Sequence, residues 1–181
     1  CAMTDSLRNR WAGTPNPRTA GIVEAVFLED RLSSEIIPDG KHLSRETMKV
    51  AFRAKGYEKL ALVTDAMRGA GMPDGEYTFG PKTGTRAIVR NRESRLPDGT
   101  ALASSVFAMD EMVQTFRQLV VCPIWQAVRM ASLTPAVIAG RSAEIGSLSP
   151  GKWADIILFD AEVKVKAVYL GGRKLNIAVP P

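Results

Sequence analysis

Histidine and cysteine are scarce in this chain of 181 residues, which contains one histidine, His42, and two cysteines. Metal sites in hydrolases usually draw on several histidine ligands, so this stretch of chain cannot build an ordinary zinc site by itself. The sequence also has no CxxC, HExxH or Walker motif, and no GxGxxG motif follows a predicted strand. Because two cysteines are too few for a disulfide framework, we expect a reducing, cytoplasmic location.

Long hydrophobic runs and blocks of like charge are also missing. No apolar run approaches the roughly 20 residues that cross a bilayer, and residues 1–10 turn polar and basic at once, unlike a signal peptide. The formal net charge is +5, but the basic residues are scattered among acidic ones. The composition therefore indicates a globular domain with no membrane or nucleic-acid partner and, at most, an anionic ligand.

The segment Lys59–Gly71 predicts a buried strand that is followed at once by a candidate catalytic acid. Leu60–Val63 is a short apolar run of the kind found in strands buried on both faces, and Thr64 and Asp65 end it. An acid is costly to desolvate, and the end of a parallel strand is where α/β folds place their chemistry. Asp65 is therefore a candidate catalytic residue, and the alternative is that it only caps the next turn.

Residues 35–65 predict a strand–helix–strand unit with polar residues where each strand ends. The first strand stops at a Pro-Asp-Gly turn, which His42 follows, and Ser44 can cap a helix that is expected to end at Gly56. A helix between two neighbouring strands makes a parallel pair with a right-handed crossover. We therefore expect His42 and Asp65 to lie near one another at the same edge of the sheet.

Beyond residue 72 the sequence predicts an excursion from this unit and then two helices. Turn signals of the Pro-Asp-Gly type punctuate the excursion, which spans about residues 73–100. Ser104 or Ser105 can cap the first helix, and Thr134-Pro135 closes the second. The expected elements are the strands Glu76–Phe79 and Arg86–Arg90 and the helices Phe107–Val120 and Ile124–Leu133.

The last part of the chain is rich in β-forming residues and predicts a small separate sheet. Its strands are expected over Ile156–Phe159 and Val163–Leu170, followed by a turn at Gly171-Gly172. Lys164 and Lys166 alternate with valines, so one face of the second strand should be exposed to water.

Five segments of the sequence together form a recognisable set of motifs. They are PDGKH at Pro38–His42, VTDAMRGAGMPDGEY at Val63–Tyr77, LPDGTALASS at Leu96–Ser105, RMASLTPA at Arg129–Ala136 and IGSLSPGKWADIILFD at Ile145–Asp160. The set resembles the amidohydrolase superfamily and, within it, is most similar to the N-acetylglucosamine-6-phosphate deacetylases. The TDAM segment with its MPDGEY continuation, preceded by PDGKH, is the most specific part of the resemblance, which covers almost the whole chain.

This resemblance implies an α/β fold that is incomplete within these residues. Residues 1–142 would be the C-terminal part of a (β/α)8 TIM-like barrel, and residues 143–181 would be the closing strands of a small β-sandwich. Chains of the family are about twice this length and are commonly homodimers. The resemblance also implies a divalent metal, zinc or iron, with ligands upstream of this sequence and none within it.

The resemblance assigns roles to four residues. Asp65 matches the general acid/base aspartate, which takes a proton from a metal-bound water and delivers it to the departing amine. His42 matches a histidine that contacts the sugar near the reacting amide. Arg18 matches an arginine of the family's phosphate-binding loop, and Ala2 borders the phosphate.

The implied reaction is deacetylation of N-acetylglucosamine 6-phosphate to glucosamine 6-phosphate and acetate, in amino-sugar catabolism. Two alternatives stay open at this point. One is a catalytically inactive half-barrel that needs a companion chain, because open strand edges and an uncovered apolar interior favour association. The other is an amidohydrolase that acts on a different amide.

Overall fold

The computed structural model describes residues 21–176 as a mixed α/β structure with three small sheets. None of the helices in this range is long and apolar enough to cross a membrane. The helices are α1 (Ile22–Leu28), α2 (Arg45–Lys59), α3 (Met109–Phe116), a π-helical turn (Arg117–Val121), α4 (Ile124–Ala131) and α5 (Leu133–Ile138). The strands are β1 (Ser34–Ile36), β2 (Leu60–Leu62), β3 (Gly75–Thr78), β4 (Arg86–Arg90), β5 (Glu93–Arg95), β6 (Ile156–Phe159), β7 (Val165–Leu170) and β8 (Arg173–Lys174).

The predicted strand–helix–strand unit is present, because β1 and β2 pair in parallel and α2 connects them. The register places Ser34 opposite Leu60 and Ile36 opposite Leu62. Both strands are shorter than expected, although the backbone N–H of Val63 still donates to the carbonyl of Ile36 at 3.0 Å. The parallel pairing brings the polar segments after the two strands to one edge of the sheet.

Helix α2 begins as predicted and ends later than predicted. The hydroxyl of Ser44 accepts a hydrogen bond from the backbone N–H of Thr47 at 3.2 Å, which satisfies a free donor of the first turn. Gly56 has φ +63° and interrupts the helical backbone, but a further helical turn follows it and leads straight into β2. The expected stop at Gly56 is therefore a kink, since glycine adopts positive φ without steric cost.

The main core lies where α2, α3 and α4 cover the β1–β2 pair. Phe52 and Phe116 meet edge to face, with ring centroids 5.6 Å apart. Burial of such side chains is the main source of folding free energy, at about 25 cal/mol for each Å² of apolar surface. The fully buried members include Ile36, Met48, Leu60, Leu62, Phe116 and Met130.

The excursion between β2 and α3 is an antiparallel sheet of three strands in the order β3-β4-β5. The predicted hairpin is confirmed, with Glu76 opposite Ile88. The third strand, β5, was not predicted, because it is three residues long and two of them are charged. Only Ser94 of β5 is buried, so the strand carries no apolar pattern.

Two predictions about the helices are wrong. Helix α3 begins at Met109, after an N-cap at Ala108 whose N–H donates to the carboxylate of Glu111 at 2.9 Å, so neither Ser104 nor Ser105 caps it. Thr134-Pro135 does not close a helix but lies in the first turn of α5. Proline is tolerated there because the first turn leaves its N–H groups without helical partners.

The last sheet is antiparallel, in the order β6-β7-β8. Strand β7 begins at Val165 and not at Val163, because Val163 adopts φ +66° in a turn over which the carboxylate of Asp160 accepts the N–H of Lys164 at 2.8 Å. Lys166 is exposed, as expected for a wet strand face. Strand β6 also leaves large apolar side chains uncovered among the described residues, namely Ile157, Leu158 and Phe159.

Candidate active site

A cavity of about 300 Å³ opens where β1 and β2 end. Its walls come from two stretches of chain, Glu35–Ile37 on β1 and the residues Val63 and Asp65 after β2. Two exposed carboxylates, of Glu35 and Asp65, and three apolar residues thus line this edge, where the parallel strands finish. In α/β folds this edge is where the residues that perform chemistry are usually placed.

Asp65 is held by its main chain to the segment that leads into α3. Its carbonyl accepts the N–H of Ser105 at 3.0 Å, and the N–H of Met67 donates to the carbonyl of Ser105 at 2.9 Å. These two bonds flank a parallel bridge between Ala66 and Ser105. Asp65 has φ +45°, a left-handed conformation in which aspartate is found more often than most side chains.

The side chain of Asp65 is held by the same segment. The hydroxyl of Ser104 donates to Oδ2 of Asp65 at 2.8 Å. Within residues 21–176 the other carboxylate oxygen, Oδ1, accepts no hydrogen bond, and Asp65 is exposed. The structure therefore presents one fixed oxygen and one free oxygen at the end of β2.

Sequence reasoning missed the contact between Ser104 and Asp65. The two residues are 39 positions apart and are separated by the whole excursion, so no local spacing signals the contact. Sequence reasoning also missed Glu35, the exposed middle residue of β1, which shares the cavity with Asp65. A charged residue directly before Ile36 and Ile37, near the end of a predicted strand, was the one signal that could have identified Glu35.

His42 follows β1 and is oriented by Asp39. Its Nδ1 atom lies 2.8 Å from Oδ2 of Asp39, while Oδ1 of Asp39 accepts the backbone N–H groups of Lys41 and His42 at 2.9 and 3.0 Å. Burial opposes the ionisation of Asp39, but the hydrogen bonds from His42 and Lys41 outweigh it, so the pKa of Asp39 lies below its usual value. An ionised Asp39 can only accept, so Nδ1 of His42 donates to it, and Nε2 has no hydrogen-bond partner within residues 21–176.

The two predicted site residues share an edge but are not bonded to each other. His42 bonds to Asp39 and Asp65 bonds to Ser104, and no hydrogen bond or ion pair joins His42 to Asp65. The prediction that the two residues lie near one another is therefore correct only in that both lie at the same edge of the sheet. Arg18 and Ala2 lie outside the described residues, and their roles stay predictions.

The residues that the structure describes do not build a metal site on their own. Between residues 21 and 176 there is no group of three or more histidine, cysteine, aspartate or glutamate residues that could hold a metal ion. The single histidine already uses Nδ1 on Asp39, and Cys122 is buried with its pKa raised by burial. Any function of these described residues therefore depends on their side chains alone and not on a metal ion that they hold by themselves.

Comparison with known proteins gives the family. The model of the amidohydrolase family matches residues 27–175, which is most of the chain. The chain belongs to the amidohydrolase family. Three curated relatives agree with the deacetylase resemblance that the motifs predicted.

The N-acetylglucosamine-6-phosphate deacetylase of Lysinibacillus sphaericus is 33% identical over 156 residues, a match that covers 86% of this chain and 39% of the relative. The enzyme of the same name from Bacillus subtilis (strain 168) is 35% identical over 148 residues, covering 82% of this chain and 36% of the relative. A relative from Escherichia coli (strain K12), provisionally named an N-acetylgalactosamine-6-phosphate deacetylase, is 33% identical, and the match covers 86% of this chain and 90% of that relative.

Solved structures of the family have the same fold. The N-acetylglucosamine-6-phosphate deacetylase of Thermotoga maritima superposes with a TM-score of 0.79 at 33% identity, covering 89% of this chain and 43% of that one. An aspartate-to-alanine variant of the Mycobacterium smegmatis enzyme, in complex with N-acetyl-D-glucosamine 6-phosphate, gives a TM-score of 0.80 at 28% identity, covering 89% and 42%. The predicted fold class, a partial TIM-type barrel of the amidohydrolase family, is confirmed. This amidohydrolase chain spans well under half the length of these two enzymes.

Proposed function

We propose that the protein takes part in removing the acetyl group from an N-acetyl amino-sugar 6-phosphate, with N-acetylglucosamine 6-phosphate as the first candidate substrate. The observation that carries this proposal is the carboxylate of Asp65, which lies beside a cavity at the end of β2 with one oxygen fixed and the other free. The names of the relatives at 33–35% identity support the choice of substrate.

Asp65 acts as the general base and then as the general acid of this reaction. Its free oxygen, Oδ1, accepts a proton from the water that attacks the acetyl carbonyl carbon. The same proton then passes to the nitrogen of the amino sugar as the carbon–nitrogen bond breaks, and acetate and the free amine leave. A positioned carboxyl group in this double role typically contributes about 10²–10⁴-fold to the rate.

His42 contacts the sugar close to the reacting amide. Since Nδ1 donates to Asp39, Nε2 is the ring atom left to form a hydrogen bond with a hydroxyl of the sugar. The buried Asp39 keeps the ring in this orientation throughout the reaction. Asp39 is therefore a positioning residue for His42.

The phosphate group is assigned to the part of the chain before residue 21. Arg18 binds it, because a guanidinium group matches the geometry of phosphate oxygens with two parallel hydrogen bonds, and Ala2 lies at its border. Both roles come from the motif resemblance, and both residues lie outside the described residues.

Several features of the whole protein are also proposed from the resemblance and the family. Membership of the amidohydrolase family implies metal dependence in general terms, and we propose zinc or iron held by residues outside this sequence. We also propose a division into a barrel portion, residues 1–142, and a sandwich portion, residues 143–181. We further propose that the whole protein is a homodimer and is located in the cytoplasm.

The proposal is tested by measuring acetate release from N-acetylglucosamine 6-phosphate by the purified protein, with its intact mass and metal content determined on the same sample. Release that depends on the 6-phosphate, with unphosphorylated N-acetylglucosamine as the comparison, supports it. Equal rates with and without the phosphate refute the phosphate site and favour a different amide substrate. Faster release from N-acetylgalactosamine 6-phosphate would change the assigned sugar but not the proposed reaction.

A second candidate is an inactive half-barrel that works only with a companion chain. Two observations favour it. Strands β1 and β2 each pair with one strand only among the described residues, which leaves open edges. The match to the Escherichia coli (strain K12) relative covers 90% of that protein, so a chain of comparable extent is known. A purified mass of 19.6 kDa, no metal and no acetate release, with activity restored on adding a companion chain, identifies this case.

A further inference from the structure

Ser104 is held in an unusual backbone conformation at the place where it contacts Asp65. Its φ is +62°, in the left-handed region that disfavours side chains other than asparagine and aspartate, and glycine adopts it without cost. Asp65, its hydrogen-bond partner, is also left-handed, with φ +45°. Non-glycine residues in this conformation concentrate at functional sites, where the surrounding structure holds them in place.

The strain at Ser104 is not explained by the helix that follows. Helix α3 begins at Met109 with Ala108 as its N-cap, so the Ser104 hydroxyl has no capping role. The neighbouring hydroxyl, of Ser105, accepts the N–H of Phe107 at 3.1 Å and serves the turn between the bridge and α3. The Ser104 hydroxyl instead donates to Oδ2 of Asp65 at 2.8 Å.

The main chain explains why this contact is precise. The carbonyl of Asp65 accepts the N–H of Ser105, and the bridge between Ala66 and Ser105 continues the pairing. The backbones on both sides of the contact are therefore locked to each other. A side-chain hydrogen bond between two locked backbones selects one rotamer of each partner.

We propose that Ser104 is a positioning residue that fixes the carboxylate of Asp65 for proton transfer, an inference that rests on the proposed role of Asp65. The hydroxyl holds Oδ2, which restricts rotation of the carboxylate and leaves Oδ1 as the oxygen available for proton transfer. When Oδ1 takes the proton from water, Oδ2 becomes the carbonyl oxygen of a neutral carboxyl group and keeps its hydrogen bond from Ser104. The carboxyl group is then already placed to return the proton to the leaving nitrogen.

The test compares Ser104→Ala and Ser104→Gly with the parent protein. Both variants lose the hydroxyl, but glycine also removes the steric cost of the left-handed backbone, so the pair separates the hydrogen bond from the strain. Ser94→Ala is the control, since it also removes a serine hydroxyl, but a buried one that has no hydrogen-bond partner in the described part of the chain. Each variant is also made in an Asp65→Asn background.

Two readouts are used. In the metal-loaded protein we expect kcat for acetate release to fall about 10- to 100-fold in both Ser104 variants, with KM within about twofold of the parent value. In the Asp65→Asn background the same substitutions should cause no further loss, because their effect acts through Asp65. The second readout is the side-chain rotamer of Asp65, measured by NMR from three-bond couplings to its Hβ protons. It should be single in the parent and in Ser94→Ala, and averaged in both Ser104 variants.

The inference is overturned if Asp65 keeps one rotamer without the Ser104 hydroxyl, or if Ser104→Gly restores the kcat that Ser104→Ala has lost. A parent protein without deacetylase activity contradicts the proposed function alone, and the NMR couplings then still decide whether Ser104 positions Asp65. A large rise in KM with unchanged kcat would assign Ser104 to substrate binding and would also refute the inference.

Discussion

Asp39 and His42 form a buried pair at the end of β1, with Nδ1 of His42 2.8 Å from Oδ2 of Asp39 and Asp39 only 6% exposed. The same carboxylate also receives two backbone N–H groups of its own turn. One aspartate thus shapes the turn and sets the tautomer of the ring. Removal of its charge should therefore affect the stability of the protein and the orientation of the His42 ring together.

For Asp39→Asn we expect a loss of about 1–3 kcal/mol in the free energy of unfolding, because a hydrogen-bonded buried charge is replaced by an amide that cannot accept from all three donors. Urea unfolding monitored by circular dichroism measures the loss. His42→Ala is the matched control, since it removes the ring and leaves the backbone hydrogen bonds of Asp39 intact, and it should cost less. Equal losses in the two variants would show that the turn adds nothing to stability.

The depressed pKa of Asp39 also makes stability depend on pH. Its carboxyl group is more acidic in the folded than in the unfolded protein, so ionised Asp39 stabilises the fold above the unfolded value of about 3.9. This contribution is lost as the pH falls from that value through the lower folded pKa. Unfolding curves between pH 6 and pH 2 should show the loss in the parent protein and a smaller acid dependence in Asp39→Asn. Identical acid profiles would contradict the assignment.

For Asp65→Asn we expect kcat for acetate release to fall by about 10²–10⁴-fold, because an amide cannot accept and return the proton. The fold should be intact, since asparagine tolerates the left-handed backbone and its side-chain oxygen still accepts from Ser104. Steady-state kinetics and a thermal melt on the same preparation give the answer. Near-normal turnover would remove Asp65 from the mechanism.

Ser94→Ala should leave stability unchanged or raise it by up to about 1 kcal/mol. Ser94 is 1% exposed, and its hydroxyl has no hydrogen-bond partner among the described residues. A buried polar group without a partner costs free energy, so replacing the hydroxyl by a hydrogen atom removes a penalty. Thermal unfolding of the variant and the parent in one buffer is the measurement. A clear drop in the melting temperature would reveal a partner that the described residues do not include.

Gly146→Ala should destabilise the protein more than Gly151→Ala does. Both glycines have positive φ, +88° and +85°, so alanine is strained at either position. At Gly146 the added Cβ would also lie 2.7 Å from Cβ of Ala136, whereas at Gly151 it meets nothing within 4 Å. We expect a cost of about 1–2 kcal/mol at Gly151 and a further 1–3 kcal/mol, roughly, at Gly146 from the overpacking. Chemical unfolding of both variants measures the difference, and equal costs would contradict the close packing.

The strand–helix–strand unit could be predicted because its signals are local. The apolar run at Leu60, the cap at Ser44 and the turn before His42 each depend on neighbouring residues, and the structure confirms the parallel pair and the cap. The motifs also predicted the amidohydrolase family correctly.

The other features depend on contacts between distant segments. Serine is a common N-cap residue, so the sequence suggested that Ser104 caps a helix. In the structure the bridge between Ala66 and Ser105 places the Ser104 hydroxyl against Asp65 instead. Thr134 looked like the end of a helix, but its hydroxyl donates to the carbonyl of Tyr57 at 2.6 Å and fixes the start of α5 against α2. No local pattern can predict either contact, because the partner lies on another element.

The bridge between Ala66 and Ser105 joins the two ends of the three-stranded excursion side by side. A segment whose ends are fixed next to each other can change in length without displacing what lies beneath it. The entropic cost of lengthening such a loop grows slowly, by about 0.6 kcal/mol for each doubling of its length. Insertions and deletions between β3 and β5 should therefore accumulate during evolution while Asp65 stays in place, which leaves this excursion free to diversify around an unchanged strand edge.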